Sequence, residues 1–113
     1  QLGLTKPILG FSCWAWDYNN DGFLDIFATG FDRTVGDVVA GLQNKPHRCE
    51  KNVLYRNRQG EGFDDVTAEV GLDKVFATMG SNFGDFDNDG YLDFYLSTGD
   101  PSLATLVPNR MFK

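Results

Sequence analysis

The feature that most constrains this chain is that it repeats itself. FSCWAWDYNNDGFLDIFATG (Phe11 to Gly30) aligns with MGSNFGDFDNDGYLDFYLST (Met79 to Thr98) at an offset of 68 residues. Asp17, Asn20, Asp21, Gly22, Leu24 and Asp25 recur identically. Tyr18/Phe86, Phe23/Tyr91, Ile26/Phe94 and Phe27/Tyr95 recur in kind. A second element, KNVLYRN (Lys51 to Asn57), returns as PNRMFK (Pro108 to Lys113) at an offset of 57. The eleven-residue difference falls between Phe31 and Lys51, so the first unit carries an insertion that holds His47 and Cys49. Residues 1–113 then divide into a half unit (11–31), an insertion loop (32–50), a full unit (51–98) and the first strand of a further unit (108–113). A chain that stops inside a repeated motif is expected to be an excerpt of a longer array. Units of this kind bury their faces against neighbours rather than alone.

The segments between turn signals read as strands. FSCWAWDY and LDIFATGF flank the first acidic stretch, and TMGSNFGDF and YLDFYLS flank the second. NVLYRN and GFDDVT read as a hairpin around RQGEG. The flanks are short, aromatic or β-branched, and broken by Gly and Asn-Asp turns. TAEVGL (Thr67 to Leu72) predicts at most one helical turn, with Thr67 to cap it and Gly71 to stop it. Residues 32–50 read as a loop. The expected fold class is all-β.

The formal charge of −6 disfavours nucleic acid, which needs a basic patch. No apolar run approaches the roughly 18 residues of a membrane span. The 42% hydrophobic content is enough for a core. Beginning at Gln1 with no basic-plus-apolar leader fits a processed chain or an excerpt. The acid is concentrated: Asp17, Asp21 and Asp25 lie in one nine-residue loop, and Asp85, Asp87, Asp89 and Asp93 in its repeat. Without a cation these loops repel themselves.

Both loops have the form D-x-[DN]-x-D-G-x-x-D. Side chains at positions 1, 3, 5 and 9 can converge on one point, Gly at position 6 permits the turn, and position 7 can offer its carbonyl. The donors are all oxygen and mostly anionic, which suits Ca²⁺ with its six to eight oxygen ligands better than Mg²⁺. The expected ligands are Asp17, Asn19, Asp21 and Asp25 with the Phe23 carbonyl, and Asp85, Asp87, Asp89 and Asp93 with the Tyr91 carbonyl. Asn19 makes the first loop one charge poorer, so it is expected to bind more weakly. An EF-hand needs a Glu at position 12 and flanking helices. Position 12 is Ala28 or Leu96, and the flanks are strands. A polar hairpin turn explains one such loop more easily than two at equivalent points of a repeat.

Cys13 and Cys49 are compatible with one disulfide closing a 37-residue loop, or with two buried thiols. The bridge would stabilise by about 4 kcal/mol if unstrained, and the oxidising exterior that the calcium reading points to favours it. One histidine and no CxxC give zinc or Cys-His chemistry little support. Trp14 and Trp16, at i and i+2 of a strand, share a face that reads as core or as a sugar- or protein-binding platform.

NVLYRNRQGEGFDDVTAEVGL (Asn52 to Leu72) followed by FGDFDNDGYLDFYLSTGD (Phe83 to Asp100) resembles the FG-GAP/VCBS repeats of integrin-α-like β-propellers, in the style of the cartilage acidic protein/UnbV type. The resemblance leaves out residues 1–10 and 32–50, and Trp16 stands where the second unit has Gly84. It implies about one and a half four-stranded antiparallel blades of a propeller-like array with calcium-binding hairpin loops. It also implies secretion or cell-surface display and a structural or adhesive role. The alternatives are a subunit of a homopolymeric extracellular filament and a non-catalytic glycan- or protein-binding part of a larger secreted protein. Expected partners are neighbouring repeats or copies of the chain itself, and a protein or glycan. Catalysis is not expected, because the acidic residues outside the loops (Glu61, Asp64, Asp65, Glu69) gather near one hairpin and read as solvated.

Overall fold

The computed structural model describes residues 2–31, 34–99 and 107–113. Among these described residues seven strands form two antiparallel sheets, and the fold is all-β apart from one short helix. The first sheet holds β1 (Gly10–Trp16), β2 (Asp25–Gly30), β3 (Val53–Asn57) and β4 (Phe63–Asp65), in that order. The second holds β5 (Thr78–Gly84), β6 (Asp93–Thr98) and β7 (Arg110–Phe112). Helix α1 (Val35–Leu42) lies between β2 and β3.

The two sheets share one register. Trp16 faces Asp25 and Cys13 faces Ala28 in the first hairpin; Gly84 faces Asp93 and Ser81 faces Leu96 in the second. Each pair differs from its counterpart by 68. Even the irregularity recurs, between Gly10 and Cys13 and between Thr78 and Gly80. Ile26 pairs with Tyr55 as Phe94 pairs with Phe112. A one-residue slip would turn every side chain to the other face, so register fixes which side chains share a face. The two sheets bury opposite faces, Phe27 in β2 but Phe94 and Leu96 in β6.

The core lies between the sheets. Trp16, Phe27, Leu54, Val66, Leu72, Phe76, Phe94 and Leu96 form it, with Trp14, Tyr18 and Phe112 against its edge. The Trp14 ring lies 4.0 Å from Trp16 and stacks 4.7 Å from Phe83. Its Nε1 donates to Ser81 Oγ across the sheets, and Ser12 Oγ lies 2.8 Å from the same hydroxyl. The two tryptophans are therefore packing rather than an exposed platform. The Trp16 Nε1 is buried with no acceptor among the described residues, a cost accepted for a large apolar surface.

Two expectations fail. Residues 35–42 are helical, although they were expected to be loop. Two glycines and three valines make VGDVVAGL a poor helix on propensity. Its cap and its packing override that. Thr34 Oγ1 accepts from Asp37 N at 3.2 Å and donates to Asp37 Oδ2 at 2.8 Å. Val38 is buried against Cys49 and Val75, and a side chain on Gly41 would meet Val75 Cγ2 at 2.6 Å. The Cys13–Cys49 disulfide is also absent. Strand alternation puts Trp14 and Trp16 in the core and Cys13 on the opposite, exposed face, while Cys49 sits buried beside α1. The turn at Thr67–Gly71 stays a turn, closed by Leu72 N donating to Thr67 O at 2.9 Å.

Among the described residues no helix is long and apolar enough to cross a membrane.

Candidate metal centre

Each acidic loop joins the paired ends of a hairpin, β1–β2 or β5–β6. Its path needs two left-handed residues. Asn20 and Asn88 have φ of 55° and 59°, and Gly22 and Gly90 both have φ of 90°. Asparagine tolerates this region and glycine favours it. A Cβ on either glycine would meet nothing within 4 Å, so backbone conformation selects glycine there, not crowding.

The same hydrogen bonds hold both loops. Asp17 accepts from Asp21 N and Gly22 N at 2.9 and 2.7 Å; Asp85 accepts from Asp89 N and Gly90 N at 3.1 and 3.0 Å. Asp21 Oδ1 accepts from Phe23 N, as Asp89 Oδ1 does from Tyr91 N. Asp25 accepts from Tyr18 N, as Asp93 does from Phe86 N. The two loops also touch: Asn20 Nδ2 donates to the Gly90 carbonyl at 3.4 Å.

The chain matches the FG-GAP-like repeat over residues 17–96. It belongs to that family. No curated protein and no solved structure matches this FG-GAP-like chain.

The ten expected ligands of the FG-GAP-like loops fall into two sets. Asp85, Asp87 and Asp89 converge, with one carboxylate oxygen from each within 4.8 Å of the others. Two oxygens on one Ca²⁺ at 2.3–2.6 Å lie at most about 5 Å apart, so the triad has a fitting size. Each of these oxygens that accepts one N–H keeps a further lone pair for a cation. In the first loop Asn19 stands in place of the third carboxylate, and its Nδ2 donates to Asp21 Oδ2 at 2.9 Å. Asp25 and Asp93 stand apart from the triad. They are 0% and 3% exposed at the base of their loops. Phe23 and Tyr91 lie at the rim with their N–H groups turned to Asp21 and Asp89.

The charges differ as well. Burial pushes the Asp25 carboxyl above its ordinary range; backbone donors from Asn57 and Tyr18 oppose this, and Asp21 and Asp17 add to it. A hydrogen bond from Lys113 holds Asp87 below the ordinary range, with Nζ 2.7 Å from Oδ2.

One asparagine outside the loops, Asn57, was missed as part of the site. Asn57 donates through Nδ2 to the Leu24 carbonyl at 2.9 Å and through its backbone N to Asp25 Oδ1 at 2.7 Å, tying β3 to the first loop. Asn52 accepts from Gly30 N and donates to Thr78 Oγ1, and Asn109 accepts from Thr98 N. Asn52 and Asn109 recur between KNVLYRN and PNRMFK and hold the strand ends away from the loops, so that recurrence gave no signal for Asn57.

Proposed function

We propose that the chain is a calcium-binding structural or adhesive module of an extracellular protein, in which ions fix the tips of β-hairpins. The supporting observation is the triad of Asp85, Asp87 and Asp89 on a backbone that the Asp17 loop repeats bond for bond. The first loop takes a second, weaker ion through Asp17, Asn19, Asp21 and the Phe23 carbonyl. Asp25 and Asp93 brace the base of each loop by accepting backbone N–H groups. Ions held in the loops convert binding free energy into folding free energy. Millimolar calcium outside cells suits such sites. The two sheets act as blades of a propeller-like array, one of four strands and one of three among the described residues.

The chain is read as non-catalytic. Asp64 lies 3.4 Å from Arg58 and Glu69 3.7 Å from Arg56, while Asp65 accepts from Thr67. These carboxylates are engaged on one hairpin rather than set across a cleft. Calorimetric titration with Ca²⁺ tests the reading: two sites are expected, the tighter one abolished by Asp85→Ala, with Mg²⁺ weaker at both. Absence of binding at millimolar Ca²⁺ would remove it. A filament of copies is the second reading, because β7 pairs with β6 alone among the described residues. A concentration-independent monomer mass in light scattering would end it.

A further inference from the structure

The insertion builds a second feature at the opposite end of the first sheet from the acidic loop. The loop joins β1 to β2 at Asp25; the insertion leaves β2 after Gly30 and enters β3 at Val53. There a groove of about 680 Å³ is lined by Lys6, Lys45, His47, Arg48 and Lys51. Four of the ten basic residues and the sole histidine of a chain with net charge −6 therefore meet in one place. Glu50 and Asp73 are the acidic residues on its wall, which leaves an excess of cations.

The cations stand on fixed backbone. Lys6 N donates to Tyr55 Oη at 2.8 Å, and that hydroxyl donates back to Lys6 O at 2.9 Å. Lys45 N donates to Ala40 O at 2.8 Å, at the end of α1. Arg48 N donates to Asp37 Oδ1 in the first turn of the same helix, and the Arg48 side chain, 89% exposed, has its Nε 3.9 Å from that oxygen. His47 Nδ1 accepts from Cys49 N at 3.2 Å. Lys51 is engaged with Asp73, whereas Lys6 and Lys45 have no ion pair among the described residues.

We propose that this groove binds an anionic polysaccharide, a chain carrying sulfate or carboxylate groups. A cluster of basic side chains is a footprint of anionic polymers, sulfated polysaccharide among them. The rest of the acidic surface is no obstacle at physiological ionic strength, because charges beyond about 8 Å are largely screened. A double-stranded nucleic acid is disfavoured, because a stiff duplex cannot follow a groove on one small domain as a single polysaccharide chain can. The inference is independent of calcium in the loops.

The 113-residue chain is passed over immobilised dextran sulfate, polygalacturonate and double-stranded DNA in physiological salt, with chelator present. Retention on at least one polysaccharide, weakened by salt, is expected, with little on DNA. The double variant Lys6→Gln/Lys45→Gln alters only exposed side chains and should lower the affinity about tenfold, as two exposed charge contacts would. Arg56→Gln/Arg58→Gln, on the hairpin away from the groove, should bind as the parent does. Equal loss in both variants, equal retention on DNA, or no retention on either polysaccharide would overturn the proposal.

Discussion

The two acidic loops have one backbone and two states of charge. Both are closed by the same donors onto their first, fifth and ninth residues. They differ in what fills the third position and in what braces the base. In the first, Asn19 spends a donor on Asp21, and Asn57 clasps Asp25 from the next strand. In the second, three carboxylates face one another and an ammonium, Lys113, neutralises one of them. The first loop is thus held largely by protein, and the second gathers three carboxylates around one ammonium. The comparison separates two roles that the shared motif hides: the ninth-position aspartate braces, and the first, third and fifth gather charge.

The base of the loops should break the comparison most strongly. Asp25→Ala leaves two backbone donors without an acceptor and is expected to cost about 3 kcal/mol in chelator, whereas Asp93→Ala, with one such donor, costs about 1–2 kcal/mol. Chemical denaturation measures both. Asn57→Ala should cost about 1–2 kcal/mol and lower calcium affinity at the first loop only.

Charge sharpens the contrast further. Asn19→Asp gives the first loop the donor set of the second, and should raise its calcium affinity several-fold in a competition titration. The Asp25 carboxyl adds a pH signature. Its folded-state value is raised, so its contribution to stability is present below the ordinary Asp value and lost as pH rises through the raised one. In chelator, the stability gap between the parent and Asp25→Asn should therefore narrow as pH rises just above the ordinary Asp range. Denaturation from pH 4 to 7 checks it. The smallest effect is expected from Lys113→Gln, about two- to threefold tighter calcium at the second loop, because an exposed ion pair contributes little.

Much of this was legible beforehand. The offset of 68 carries register, turn conformation and loop bonding together, because all three follow from the same residues in the same order. Trp14 and Trp16 were legible as one face, and only packing showed that the face is the core. The helix was hidden because valine and glycine argue against it locally, while Thr34, Asp37 and the contact with Cys49 and Val75 decide it. The disulfide was drawn from a count, and a count carries no direction: Cys13 faces away from Cys49 by strand alternation. The division among the ligands depended on side-chain depth, which a motif does not encode.

Thermal melting of the chain in calcium and in chelator, beside Asp87→Asn, tests the central claim most directly. At free calcium about a hundredfold above the dissociation constant, binding should add about 2.7 kcal/mol and raise the melting temperature on the order of 10 °C. Asp87→Asn should lose a large part of that rise and melt close to the parent in chelator. A parent that melts at the same temperature with and without calcium would contradict the account.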